Sequence, residues 1–172
     1  CNLDHCTLQP EAGGNDRRSR ITHSRMRILT GDIGGTNTRL AIVDADHDHI
    51  RLLRGRTFAG RNFPSLAEIV REFLASIPDV PRSVCFGVAC PVVGGACRSV
   101  NLPWRIDVHT LAEEIGVPHV TVINDFHAVA HAIPHLRPTD LVALQMGEPG
   151  QNGAIAVIGA GTGLGEAFLT AS

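Results

Sequence analysis

Gly31-Asp32-Ile33-Gly34-Gly35-Thr36-Asn37 stands between two apolar runs, Ile28-Leu29 and Leu40-Ala41-Ile42-Val43. Two strands joined by a polar, glycine-rich turn form a hairpin whose tip offers backbone N–H groups and few side chains. Such a tip is shaped to hold a phosphate. Near the other end of the chain it has an echo, Gly159-Ala160-Gly161-Thr162-Gly163-Leu164-Gly165, also flanked by strand-like runs. The reading of the chain depends on whether these two turns face one ligand.

The sequence has 172 residues, 44% of them hydrophobic and 19% charged, enough for one real core in one domain, or one domain and part of another. No apolar run approaches the roughly 20 residues that span a bilayer, and no signal-peptide core follows the N-terminus, so a cytoplasmic location is expected. A net charge of −2 gives no electrostatic reason to expect nucleic acid or an anionic membrane as partner. The basic side chains are arginines, with no lysine anywhere. That excludes a Walker A loop, a Schiff-base enzyme and a protein kinase, each of which needs a lysine. The five cysteines are odd in number and contain no C-x-x-C pair, which favours reduced thiols. Cys85 and Cys90 lie in an apolar strand pattern and read as core residues; a zinc site from Cys85, Cys90 and Cys97 would have poor spacing.

Residues 1 to 25 lack helix or strand periodicity, and Met26 opens directly onto the first strand. Native translation is expected to begin there, the preceding residues forming a disordered extension. Asp44-Ala45-Asp46-His47-Asp48 begins like a calcium-binding loop, but His49 and Gly55 occupy its sixth and twelfth positions, so a solvated turn is expected. Ile50 to Phe58 supplies a third strand. The spacing of Leu66, Ile69, Val70, Phe73, Leu74 and Ile77 predicts a helix from Pro64 to Ile77, with Ser65 and Glu68 resembling a capping box. Val84 to Cys90 reads as a strand buried on both faces, and Ala96 to Leu102 as its hairpin return. Asp107 caps a helix ending at Gly116. Val120 to Ile123 is another buried strand running into a helix stopped by Pro134; Leu141 to Leu144 can form a further strand. A three-strand meander followed by alternating helices and strands indicates a mixed α/β sheet.

In such sheets ligands gather at the carboxyl ends of strands. Asp125 occupies such a place. Its position is that of a helix N-cap accepting a backbone N–H, yet a cap leaves one carboxylate oxygen free to take a proton from a substrate hydroxyl. The second glycine turn fails the dinucleotide register, because Leu164 or Glu166 stands where the third glycine of G-x-G-x-x-G belongs. Alternating glycines between strands instead suggest a hairpin turn, either structural or one whose backbone approaches a ligand closely. His127, His131 and His135 recur at i, i+4 spacing but lack the glutamate of a zinc motif, so an exposed or partly packed histidine face is expected. Trp104 reads as a packing residue near the cleft.

Together, the segment at Gly31 to Asn37 resembles the first phosphate motif of the sugar kinases that share the actin and Hsp70 nucleotide-binding fold. Ile123-Asn124-Asp125-Phe126 resembles the segment carrying their catalytic aspartate, and Gly159 to Gly165 their second phosphate motif. With Ala89-Cys90-Pro91 and Asn101-x-x-Trp104, residues 26 to about 169 resemble the bacterial ATP-dependent glucokinases. The resemblance implies a ribonuclease H-like, actin-like ATPase fold with flanking helices. It implies a small α/β domain over 26–135 and the beginning of a second lobe over 136–172.

By the same resemblance, Asp125 would be the base that deprotonates the 6-hydroxyl of glucose as it attacks the γ-phosphoryl group of ATP. Asn124 and Asn101 would join Asp125 in binding the sugar. Asp32 would hold Mg²⁺ through water, and Gly31, Ile33, Gly34, Gly35, Thr36 and Asn37 would form the nucleotide site with it. Gly161, Thr162 and Gly163 would contact the phosphates from the other lobe. The family's downstream sugar-site segment and adenosine-binding segment have no counterpart before Ser172, so the chain alone is expected to be an inactive or very weak N-terminal portion. A homodimer is implied for the full-length protein, since the family often dimerises. A non-catalytic sugar or nucleotide sensor, like the repressors related to these kinases, is the alternative; so is a degenerate chain with only a structural fate.

Overall fold

The computed structural model describes residues 25–46, 49–98, 104–148, 153–160 and 164–170. Strands β1 (Met26–Ile33), β2 (Asn37–Ala45) and β3 (Ile50–Ala59) are followed by helix α1 (Leu66–Leu74), β4 (Ser83–Val88), β5 (Ala96–Arg98) and β6 (Arg105–Asp107). Helix α2 (Val108–Ile115), β7 (His119–Asn124), α3 (Asp125–Ala132), β8 (Ile155–Ala160) and β9 (Leu164–Leu169) complete the order.

The main sheet has the order β3-β2-β1-β4-β7. Its first three strands are antiparallel, while β4 and β7 add in parallel to β1. This is the mixed, meander-led α/β sheet expected from the sequence. One face is dry: Leu29, Ile33, Leu40, Ile42, Phe86 and Val88 are all buried, as are Ile69, Val70 and Phe73 of α1. Phe58 and Phe73 meet edge to face with ring centroids 6.3 Å apart, which fixes α1 on that side. The opposite face carries α3. Gly87 lies between Phe86 and Val88 and therefore points away from the dry face, and a Cβ built on it would sit 3.5 Å from Asp125 Cα and Ala128 Cβ.

The structure narrows or corrects several sequence expectations. Helix α1 starts where Ser65 Oγ accepts the Glu68 N–H at 3.3 Å, but the Glu68 carboxylate turns to Arg71, so the capping box is half made. It stops before Ile77 because Ser76 Oγ bonds back to the Phe73 carbonyl and Pro78 follows. Ala96–Arg98 does not return along β4 and instead pairs with β6. Both edges of β4 are already taken, by β1 and β7, so no edge remains for a return strand. Residues 141–144 form no strand; Val142 and Leu144 are exposed and nothing among the described residues pairs with them. Of residues 1–25, expected to form a disordered extension, 1–24 lie outside the described residues.

Helix α2 follows the sequence reading closely. The Asp107 carboxylate accepts the N–H groups of His109 at 3.0 Å and Thr110 at 3.2 Å, and Gly116 closes the helix in the left-handed region. The Thr110 N–H first, and the His109 N–H with it, hold the Asp107 carboxyl below its usual range. A depressed folded-state value means that this contribution to stability is present above the ordinary carboxylate range and fades as pH falls through the folded value. Asp107→Asn is therefore expected to flatten the acid limb of stability against pH, measured by urea midpoints between about pH 3 and 6. A second expectation concerns Thr38, whose hydroxyl is fully buried with no hydrogen-bond partner among the described residues. Thr38→Val removes that unpaired group at constant shape and should raise stability by about 1 kcal/mol, read from the same urea curves.

Candidate active site

Strands β1, β4 and β7 are parallel, so their carboxyl ends lie along one edge: Ile33 is level with Val88, and Val88 with Asn124. The chain leaves that edge three times, into the glycine turn after β1, the Ala89-Cys90 turn after β4, and helix α3 after β7. A cleft of about 820 Å³ opens beside this edge on the α3 face, lined by Asp32, Arg39, Gly87, Asp125 and, farther along, Leu52 and Val129. Carboxylates from two different strand ends and an arginine thus share one cavity, the placement expected for a ligand site in an open α/β sheet.

The start of α3 sets the Asp125 side chain. Asn124, rather than Asp125, is the N-cap: its Oδ1 accepts the N–H groups of Phe126 at 3.0 Å and His127 at 3.2 Å. Its Nδ2 donates to the Cys90 carbonyl at 3.3 Å, tying α3 to the turn after β4. Asp125 is the first helical residue, and its Oδ1 also accepts the Phe126 N–H, at 2.8 Å. Two neighbouring polar side chains could each have capped α3, and only the backbone torsions distinguish them; Asn124 has the extended conformation of a cap. Asp125 Oδ2 has no partner among the described residues and belongs to a half-buried side chain on the cleft.

On the first glycine turn, the structure separates residues that the sequence grouped. Gly31 lies within β1, where a Cβ would stand 2.7 Å from Leu40 Cδ2 and 2.9 Å from Phe86 Cδ1, so the core requires it to be small. Ile33 is buried on the same side. The turn proper is Gly34 to Asn37. The Gly34 N–H is engaged by the Asn37 carbonyl at 3.0 Å, and the Thr36 carbonyl accepts from Gly60 N–H at 3.0 Å. Thr36 and Asn37 are exposed.

Asp32 is exposed on the cleft side and accepts a 2.8 Å hydrogen bond from Arg39 Nη1. The two residues are direct cross-strand partners between β1 and β2. Sequence reasoning passed over Arg39, although its signal was available: residues flanking a tight hairpin pair across it, and Arg39 falls opposite Asp32 when Ile33 is set against Thr38. Arg56, the other arginine at the cleft, turns its head group to Glu72 at 2.7 Å and over the Phe58 ring on the dry face.

Asn101, Gly161, Thr162 and Gly163 lie outside the described residues. The strands that bracket the last three are described: β8 and β9 pair antiparallel, with Ala160 opposite Leu164. Cys90 and Cys97 are buried close together, while Cys85 faces the cleft, so the three cysteines do not converge. Burial first, and hydrogen bonding with Cys90 next, push the Cys97 thiol up to about 12, which keeps it protonated. His127, His131 and His135 are exposed, as expected from the sequence. Trp104 is buried and its Nε1 donates to the Phe63 carbonyl at 3.2 Å.

The fold is shared with solved sugar kinases. The solved glucokinase from an Antarctic psychrotroph superposes with a TM-score of 0.75 at 36% identity, over 84% of this chain and 46% of that one. A ROK family glucokinase from Streptomyces griseus, solved in complex with glucose and AMPPNP, shares the fold at 23% identity and a TM-score of 0.57, over 84% of this chain and 44% of that one. The Glucokinase family model matches residues 29–172. The chain belongs to the glucokinase family. It is 41% identical over 145 residues to a glucokinase of Nostoc punctiforme, covering 83% of this chain and 42% of that relative. The chain thus spans under half the length of the curated relatives it matches.

The contrasting surroundings of two glycines give a direct check on the site's frame. Gly31→Ala must displace Leu40 or Phe86 in the core and should cost about 1–3 kcal/mol, whereas Gly87→Ala meets only ordinary contact and should cost under about 1 kcal/mol. Urea unfolding of the two variants measures the difference.

Proposed function

We propose that this chain carries the catalytic base and the first phosphate-binding element of an ATP-dependent kinase that phosphorylates glucose at its 6-hydroxyl. The single observation that carries the reading is that Asp125, with Oδ2 unpartnered among the described residues, shares one cleft with the carboxylate and arginine beside the first glycine turn. Membership of the glucokinase family and the glucose and AMPPNP bound to the Streptomyces griseus protein support the choice of substrates.

In this reading Asp125 Oδ2 accepts the proton of the sugar hydroxyl as that oxygen bonds to the γ-phosphorus and the bond to the ADP oxygen breaks. Asn124 fixes the helix start, and its remaining Nδ2 hydrogen is left for a sugar hydroxyl. Because the Gly34 N–H is already engaged, donors to phosphate come from Gly35, Thr36 and Asn37. Phosphoryl transfer depends on positioning and charge stabilisation, and positive charge must be supplied beside the phosphates. Arg39 is the arginine placed to do so. The donor set fits Mg²⁺: Asp32 is exposed to the cleft with one oxygen held by Arg39 and the other free among the described residues, and this metal commonly binds through one or two carboxylates while keeping several waters. When bound, Mg²⁺ would offset charge on the nucleotide's phosphates.

The proposal includes that turnover needs more of the protein than these residues. Ile158, Leu164 and Phe168 on the outer face of β8 and β9 are exposed apolar side chains, an expected contact for further chain. A coupled assay for glucose 6-phosphate, run on this chain and on the complete protein that contains it, tests the reading. The complete protein should turn over, and Asp125→Ala should lower kcat by about 10²- to 10⁴-fold. Full activity in Asp125→Ala, or no sugar phosphate from the complete protein, contradicts it.

A further inference from the structure

Helix α3 is held between glycines on two sides. Beneath it, Gly87 of β4 faces Asp125 and Ala128, with room for a Cβ at ordinary contact distance. On another side, the Phe126 ring lies against β8 and β9 at Gly159 and Gly165, which are direct cross-strand partners. A Cβ on Gly159 would stand 2.5 Å from Phe126 Cε2, and one on Gly165 would come closer still to Cδ2. Neither glycine is among the positive-φ glycines of the described residues, which are Gly94, Gly95 and Gly116. Backbone conformation therefore does not call for glycine at these two positions. Glycine weakens a strand interior and needs a compensating reason. Here the reason is the ring: only a paired strand surface without side chains admits Phe126 so closely.

We propose that Phe126 is a positioning residue that locks the β8–β9 hairpin to the first turn of α3. Asp125 and Phe126 are adjacent, and the Phe126 N–H is held by both Asn124 and Asp125. The ring's place is thus set by the same hydrogen bonds that set the Asp125 carboxylate. A shift of the hairpin cannot occur without moving the ring or opening a gap beneath it, so strands β8 and β9 and the base move as one unit. In kinetic terms this inference rests on the phosphoryl-transfer reading; in structural terms it does not.

The test combines two measurements on the complete protein and on Phe126→Ala, Phe126→Leu, Gly165→Ala and the Phe126→Ala/Gly165→Ala double variant. In amide hydrogen exchange, Phe126→Ala should speed exchange across residues 155–160 and 164–169 by about tenfold or more while leaving β1 and β2 unchanged. Gly165→Ala should do the same, and adding it to Phe126→Ala should have little further effect, since the ring it collides with is gone. In steady-state kinetics, Phe126→Ala should raise KM for ATP by roughly fivefold or more with KM for glucose within about twofold, and Phe126→Leu should recover part of the loss. Unchanged hairpin exchange in Phe126→Ala, additive effects in the double variant, or equal acceleration throughout the sheet would overturn the proposal. A parent protein that makes no sugar phosphate would sink the phosphoryl-transfer reading, and the exchange pattern would then decide the role of Phe126 alone.

Discussion

Parallel pairing of β1, β4 and β7 is the constraint on which the site depends. Because Ile33, Val88 and Asn124 are held level by two ladders, three chain exits fall on one edge, and each exit brings a different chemical group. The exit from β1 brings the glycine turn with the Asp32–Arg39 pair beside it. The exit from β4 brings the Cys90 carbonyl that receives Asn124. The exit from β7 brings Asp125. Shifting one strand by a single residue would move its side chains to the other face and separate the two carboxylates. The buried set Leu29, Phe86 and Val122 opposes such a slip, since each strand would have to expose its apolar residues.

Glycine serves distinct purposes in this frame, and the sequence alone does not separate them. Gly31 leaves volume for core side chains, and Gly159 with Gly165 admits a ring. Gly116 supplies a left-handed residue at a helix end. A motif that reads as one phosphate turn therefore contains residues serving the core as well as residues at the surface. Gly31 and Ile33 face inward, while Thr36 and Asn37 are exposed at the tip.

Features governed by near neighbours in the chain were legible from sequence. The β1–β2 hairpin, the α2 helix from its Asp107 cap to Gly116, and the α1 apolar face each follow from spacing within a few residues. Features decided by distant partners were not. The pairing of Ala96–Arg98 depends on the occupied edges of β4, which no local pattern records. Residues 141–144 have strand-like composition, but a strand needs a partner. The cap of α3 fell to Asn124 although Asp125 is an equally suitable residue type, because the choice lies in backbone torsion. The contact of Phe126 with Gly159 and Gly165 joins residues more than thirty apart; the alternating glycines suggest close approach of a ligand, whereas at these two positions the approaching group is a ring of the chain itself.

The most direct measurement of the central claim is a crystal structure of the complete protein with glucose, Mg²⁺ and a non-hydrolysable ATP analogue. The account predicts the glucose 6-oxygen within about 3 Å of Asp125 Oδ2 and the analogue's phosphates against Gly35 to Asn37. Sugar bound away from Asp125, or phosphates placed outside the cleft that contains Asp32 and Arg39, would contradict it.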